Sequence, residues 1–253
     1  MSRNPVAWPD GVGRVVLEET DSTNAEGARI AGTLAVPTWI LALRQTAGRG
    51  RRGRAWADPG GNFAATLVMR PEGSAADAAL RSFVAALALH DALATATGRP
   101  ESLSLKWPND VLLNGAKVAG ILLESAGQGG RMSPLCIGIG VNLVAAPSRA
   151  SLEPDALEPT SVLSATGARI TPEEFLGILA PAFAVWEWRL TDHGFEPLRT
   201  AFLDRAARRG EVIRARTGTE TLSGTFADID ATGALVLVTA KGRVAVPAAE
   251  IYF

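Results

Sequence analysis

A chain of 253 residues with 47% hydrophobic composition can build one sizeable core and a small second domain. Its 25 Lys and Arg against 26 Asp and Glu leave a formal net charge of -1, which excludes a global electrostatic drive toward nucleic acid or anionic membrane, local patches aside. The single cysteine, Cys136, excludes an intrachain disulfide, and two histidines with no clustered cysteine give no basis for a zinc site.

Met1 to Asp10 contains no apolar stretch resembling a signal peptide, and no run approaches the ~20 apolar residues of a membrane span; the default expectation is a soluble cytoplasmic protein. Val15 to Leu17 predicts a short strand. Asp21, Ser22 and Thr23 are each able to cap a helix through Ala25 to Ala31. Trp39 to Leu43 and Phe63 to Met69 predict strands on either side of a Gly/Arg-rich loop, Ala47 to Gly61. Ala75 to Ala96 is an Ala-rich helix with Leu80, Phe83, Val84 and Leu87 on one face. Leu103 to Lys106, Val111 to Leu113 and Lys117 to Leu123 predict three strands, the last two joined by Asn114-Gly115, a type I′ hairpin signal. Leu135 to Asn142 is a further strand, in which Cys136 acts as a buried apolar residue.

Ala145 to Thr160, rich in Pro, Ala and Ser, reads as a loop. Thr171-Pro172-Glu173-Glu174 is a helix start, with Thr171 as N-cap, Pro172 at the first position and Glu174 completing a capping box; Pro181 should kink or end that helix. A second helix is predicted from Pro197 to Arg209, stopping at Gly210. Beyond it Glu211 to Arg216, Thr221 to Ala227, Ala234 to Thr239 and Val244 to Val246 are short strands separated by turns. Four or five such strands suggest a small barrel, with a domain boundary near residue 210.

Two segments carry chemistry. Gly48-Arg49-Gly50-Arg51-Arg52-Gly53 matches the dinucleotide-binding pattern, yet no helix can open after it because Asp58-Pro59-Gly60-Gly61 follows. The remaining reading is a flexible loop with five arginines between Arg44 and Arg54. Guanidiniums bind phosphate oxygens in a bidentate fashion, and glycines let backbone N–H groups close on an anion. A solvated basic loop and an RNA contact remain open at this point. The second segment, Lys106-Trp107-Pro108-Asn109-Asp110, turns from one strand into the next and aims Asn109 and Asp110 at a common cleft. Lys117 lies just past the hairpin turn. Gly120, in an otherwise bulky strand, marks either a bulge or the close approach of a ligand.

With these elements in order, the sequence resembles the bacterial biotin protein ligase family. The matching residues are Asp21-Ser22-Thr23-Asn24, Gln45 through Arg54 with Trp56, Lys106 through Asp110, Lys117-Val118-Ala119-Gly120-Ile121-Leu122 and Gly138-Ile139-Gly140-Val141-Asn142. The resemblance implies an α+β fold: a mixed β-sheet flanked by helices of the class II synthetase-like biotin/lipoate ligase type over 1–209, and an SH3-like β-barrel over 210–253. It implies ATP-dependent formation of biotinyl-5′-AMP, with Mg²⁺ accompanying ATP, and transfer of biotin to a lysine of a biotin carboxyl carrier protein. Ser22, Thr23, Asn24, Gln45, Gly48, Arg49, Gly50, Arg51, Lys117 and Gly120 would hold biotin. Arg49, Arg51, Arg52, Arg54, Trp56, Asn109, Lys117 and Asn142 would hold ATP and the adenylate. Lys117, Arg51 and Asp110 would act in catalysis, Asp110 facing the incoming lysine, and no protein metal site is implied. The motifs begin at Asp21, which leaves no room for the ~60-residue DNA-binding domain of many relatives, so no DNA partner is expected. A homodimer is implied only by the relatives. The competing readings are a lipoate or octanoyl transferase and, from another class, an RNA-binding module.

Overall fold

The computed structural model describes residues 7–57, 59–125, 134–153 and 156–253. The reading of Met1 to Asp10 and of the Ala145 to Thr160 loop therefore falls partly outside the described residues, as does Asp58 among the loop breakers.

Among the described residues, seven strands form a mixed sheet. In chain order they are β1 (Gly13–Leu17), β2 (Thr38–Ala42), β3 (Phe63–Met69), β4 (Leu103–Lys106), β5 (Asp110–Leu113), β6 (Ala116–Ser125) and β7 (Leu135–Val141), arranged spatially β1-β2-β3-β7-β6-β5-β4. Only β1 and β2 run parallel; the other neighbours are antiparallel. The β5–β6 turn is the one its dipeptide specifies, with φ of 52° at Asn114 and 78° at Gly115.

Strand alternation divides the sheet into two faces. Trp39, Leu41, Phe63, Ala65, Leu67, Ile137, Ile139 and Val141 pack into the main core, beneath α3 (Arg81–Thr97) and α5 (Pro172–His193). Edge-on contacts of Trp39 with Phe183 and Phe63 with Phe175, at centroid distances of 5.7 and 5.0 Å, lock α5 to the sheet. Ile40, Val68 and Cys136 point the other way, toward α1 (Thr23–Ile30). The short helices α2 (Ala75–Ala79) and α4 (Val162–Thr166) complete the first unit together with α6 (Glu196–Arg205). The stretch Ala75–Thr97 does reach a membrane-spanning length, with mean hydropathy 1.2, contrary to the sequence reading; 61% of it is buried within the fold, because it is the central core helix.

Helix α5 starts as its capping box predicts but runs through Pro181. An interior proline costs about 3 kcal/mol, whereas burying Phe183 and Trp186 beyond it contributes about 1.5–3 kcal/mol each, so packing wins. Helix α6 ends at Arg205, short of the predicted Arg209, with Ala206 as its C-cap. There the chain becomes extended, Leu105 and Ala206 form a parallel bridge, and Ala207 N–H donates to the Leu105 carbonyl. Sheet pairing at the open edge of β4 replaces the last helical turn.

The C-terminal strands β8 (Val212–Arg216), β9 (Thr221–Ile229), β10 (Leu235–Thr239), β11 (Gly242–Val246) and β12 (Glu250–Tyr252) form one antiparallel sheet, ordered β11-β10-β9-β8-β12. It curls as a small SH3-like unit without closing into a barrel; the hydrogen-bonded series ends at β11 and β12. Ile213, Phe226, Leu235 and Ile251 join the same core as the first sheet, and Trp107 Nε1 donates to the Gly233 carbonyl at 3.1 Å. The return of β12 brings Glu250 to Tyr252 beside the Gly/Arg loop.

Candidate active site

The face of β6 and β7 that carries Gly120, Gly138 and Gly140 is where the sheet is hollow. Ile137 and Ile139 fill the core on one side, while the alternating glycines leave no side chains on the other. A Cβ on Gly140 would come 2.5 Å from the Trp56 ring, and one on Gly138 would overlap the amide of Asn24. The resulting cleft has a volume of about 520 Å³, within the usual range for small-molecule sites. One wall comes from the start of α1 and the Gly/Arg loop, another from Lys106 to Asp110 and Lys117, a third from the Ala145–Thr160 segment, and the rim from β12.

At the α1 wall, Ser22 occupies the N-cap position, but its side chain makes no capping bond and lines the cleft. Thr23 donates from its backbone N–H and its hydroxyl to Gln45 Oε1, at 2.8 and 3.1 Å, which fixes the Gln45 amide. Asn24 also borders the cleft, but its polar atoms are committed to the protein. Its Nδ2 donates to Glu124 Oε2 at 2.7 Å and to the Leu122 carbonyl at 3.3 Å, and its Oδ1 accepts from Thr66. Asn24 therefore cross-links α1 to β6 while lining the cleft.

The arginines diverge. Arg51 points inward and donates from Nη1 to Asn109 Oδ1 at 3.2 Å; burial opposes its charge, and Asp110 supports it. Arg49 lines the cleft and lies 3.6 Å from Glu124. Arg52 and Gly48 do not line it. Arg52 turns out to Glu250 at 3.1 Å, its backbone in the left-handed region with φ of 57°. Gly48 serves the loop itself: a Cβ there would come within 2.8 Å of Gln45 and of the Trp56 carbonyl. Arg54 makes a two-point contact with Glu153, 3.0 Å at both nitrogens, and reaches Glu250 at 2.5 Å. Glu250 in turn holds Arg216 at 2.6 Å. Burial alone would raise the Glu250 carboxyl; Arg216, Tyr252 and Arg54 outweigh it and hold the group at about 2.

The opposite wall is set by backbone pairing. The Asn109 carbonyl accepts from Ile121 N–H of β6 at 2.9 Å, and Asn109 Nδ2 donates to the Ile121 carbonyl at 2.7 Å. Asp110 is buried, its Oδ1 2.7 Å from Lys117 Nζ and its Oδ2 3.6 Å from Lys106 Nζ. Burial pushes the Asp110 carboxyl up, but the two ammonium groups and Arg51 prevail and keep it below the usual carboxylate range. Burial pushes the Lys106 ammonium below the usual lysine range, with Asp110 opposing. Lys117 Nζ also lies 5.8 Å from the Trp56 ring centre, and its backbone pairs with Glu158 and Thr160. Asn142 Nδ2 donates to the Thr160 carbonyl at 3.0 Å, pinning the third wall to the end of β7.

Of the residues expected from sequence, Ser22, Thr23, Asn24, Gln45, Arg49, Gly50, Arg51, Arg54, Trp56, Asn109, Asp110, Lys117, Gly120 and Asn142 line one cleft; Gly48 and Arg52 do not. Sequence reasoning missed Lys106 as a site residue, although it had noted the motif containing it. It also missed Glu153, Glu250 and Tyr252. Lys106 carried a findable signal, since a charged residue closing the alternation of Leu103 and Leu105 points to the opposite face from the core. The others come from a loop and a distant strand with no local signature. Among the described residues no group of three or more His, Cys, Asp or Glu side chains assembles into a metal cage.

This architecture has relatives. Residues 12–142 match the model of the biotin/lipoate A/B protein ligase family, and residues 210–253 match that of the biotin protein ligase C-terminal domain. The chain is 56% identical to the biotin–[acetyl-CoA-carboxylase] ligase of Paracoccus denitrificans, over 94% of this chain and 99% of that one. It is 34% identical to the bifunctional ligase/repressor BirA of Bacillus subtilis, over 85% of this chain and 65% of that one. The structure of a biotin protein ligase from Aquifex aeolicus in complex with biotin and ATP superposes with a TM-score of 0.78 at 25% identity, covering 94% and 97% of the two chains.

Proposed function

The chain belongs to the biotin/lipoate A/B protein ligase family, and from that membership we propose how its cleft works. The protein is a biotin protein ligase. It activates biotin with ATP to biotinyl-5′-AMP, releasing pyrophosphate, and passes the biotinyl group to a lysine of an acetyl-CoA carboxylase carrier protein. In this reading the protein acts in the cytoplasm, where ATP and the carrier are available.

The observation that carries the reading is the convergence of Arg51, Lys117 and Lys106 on one side of a glycine-floored apolar slot. The first half-reaction brings a carboxylate to the α-phosphorus of ATP. Two anions approach only where cations screen their repulsion, and fixed cations in a partly dry cleft do so without reorganising. Lys117 faces the biotin carboxylate, and Arg51, held by Asn109, faces the nucleotide phosphates. Asn109, at the phosphate end of the cleft, would lie beside the Mg²⁺ that accompanies ATP, and that ion would add charge screening there. The Trp56 ring packs on Gly120 and Gly140, and the slot beside it takes the ring system of biotin, with Ser22, Thr23 and Gln45 offering hydrogen-bond partners to its ureido group. Trp56 and the Arg54–Glu153 pair at the edge of the cleft keep water from the mixed anhydride. In the second half-reaction the carrier lysine attacks the acyl carbon and AMP leaves. No enzyme nucleophile is needed for either step.

The test is biotin-dependent release of pyrophosphate from ATP, with lipoate as competitor. Release that requires biotin and resists lipoate supports the reading. Release driven equally by lipoate would move the protein to the lipoate branch of the family. The Gly/Arg loop and the Trp107-Pro108-Asn109-Asp110 corner both favour biotin.

A further inference from the structure

Lys106 has so far been counted only among the cations that line the cleft, with no chemical task of its own, and only 12% of its side chain is exposed. It closes β4, lies 3.6 Å from Asp110 Oδ2, and has the Phe253 ring 5.8 Å away on its other side. The groups that bear on it are Asp110 from β5, Lys117 from β6, Glu250 from β12 and, through Asp110, Arg51 of the loop. One buried carboxylate thus stands between two ammonium groups, one on each oxygen. It can neutralise only one of them well. Lys117, at 2.7 Å and partly exposed, is the favoured partner. Lys106 is farther from the carboxylate and deeper, so its charge is poorly neutralised and burial favours loss of its proton. The direction of its shift agrees with this geometry.

We infer that Lys106 is the relay residue that takes up, through Asp110, the proton of the incoming carrier lysine in the acyl-transfer step. This rests on the ligase reading above. While ATP is bound, the polyphosphate favours a charged Lys106. When pyrophosphate leaves, its negative charge goes with it, and Lys106 yields its proton to solvent. The carrier lysine enters as an ammonium ion. One of its protons passes to Asp110 Oδ2 and on to neutral Lys106 Nζ. The freed amine lone pair forms the N–C bond to the acyl carbon, and the acyl C–O bond to phosphate breaks, its electron pair leaving with AMP. The second amine proton goes to water. Asp110 alone is a weak base because two cations hold it ionised; with Lys106 behind it the proton has a basic final acceptor.

The test compares two nucleophiles on preformed enzyme-bound biotinyl-AMP: the carrier domain of an acetyl-CoA carboxylase, whose lysine must lose a proton, and hydroxylamine, which is already neutral at neutral pH. Lys106→Met keeps the stem and removes the base. Lys106→Arg keeps the charge beside Asp110 but cannot release its proton. The ratio of carrier transfer to hydroxylamine trapping should fall about 100-fold in both variants. Their carrier transfer should rise in proportion to hydroxide over the range where the wild type is level. An unchanged ratio in either variant overturns the relay; a normal ratio in Lys106→Arg alone would reduce Lys106 to a positioning charge. If the wild type itself forms no biotinyl-AMP, the ligase reading fails and not merely the relay.

Discussion

Lys117 places its ammonium nitrogen 2.7 Å from Oδ1 of Asp110, across the hairpin that joins their strands. The Asn114-Gly115 turn sets the register of that hairpin, so a local turn preference determines where the central cation of the cleft stands. Replacing Lys117 by Ala removes the cation that meets the biotin carboxylate. Biotin-dependent pyrophosphate release should fall about 100-fold or more. Near-normal release would take Lys117 out of the active site.

Arg51 both lines the cleft and bonds through its guanidinium to the Asn109 wall. A charged hydrogen bond contributes about 1.5–3 kcal/mol, so Arg51→Gly should shorten the residence of biotinyl-AMP by about tenfold or more. A chase of labelled adenylate with unlabelled biotin and ATP measures this directly. An unchanged half-life contradicts the clamp.

Gly140 lies directly under the Trp56 ring, with no space for a Cβ. Gly140→Ala should lift Trp56 and raise the KM for biotin roughly tenfold, by the loss of about 1.4 kcal/mol of contact. Gly177→Ala is the control: Gly177 lies within α5 with open space where its Cβ would go, and the change should stabilise the fold by about 0.5–1 kcal/mol without altering the KM. Equal KM values for Gly140→Ala and the wild type would show that the glycine floor does not shape the biotin slot.

Glu250 joins Arg52, Arg54 and Arg216, and so ties β12 to the ligand loop. Its folded-state value of about 2 lies below the ordinary value of 4.5. A depressed carboxyl contributes stability above its unfolded value and loses it as the pH falls through the folded one. Glu250→Gln should therefore destabilise the protein on the order of 2 kcal/mol at neutral pH, after allowing for screening by water. The difference from wild type should shrink as the pH drops from 4.5 toward 2. Denaturant unfolding across that range checks it; a pH-independent difference would mean that packing, not charge, is what Glu250 supplies.

Local signals were enough for much of this molecule. Phe63–Met69 and Leu103–Lys106 are strands over the residues that alternation and β-branching mark, and Thr171 caps α5 as its box requires. Gly120 and the arginine loop were also visible, because glycine in a bulky strand and clustered guanidiniums are both costly without a ligand. What escaped was tertiary. Pro181 sits inside a helix because the aromatic contacts on either side outweigh its local cost. Helix α6 stops early because β4 offers a better partner for its backbone. Asn24 lines the cleft, and no local signal marks the bond of its amide to Glu124, 100 residues later. Glu250 and Glu153 reach the cleft by chain reversal that no short window contains.

The central claim is that this cleft makes a biotin adenylate and holds it under the arginine loop. Thermal unfolding with biotin alone, with MgATP alone and with both tests it most directly, since a ligand stabilises in proportion to the logarithm of its concentration over Kd. The account predicts a midpoint with both ligands well above the sum of the two separate shifts. A combined shift equal to that sum would mean that no tightly held intermediate forms, and the account would fail.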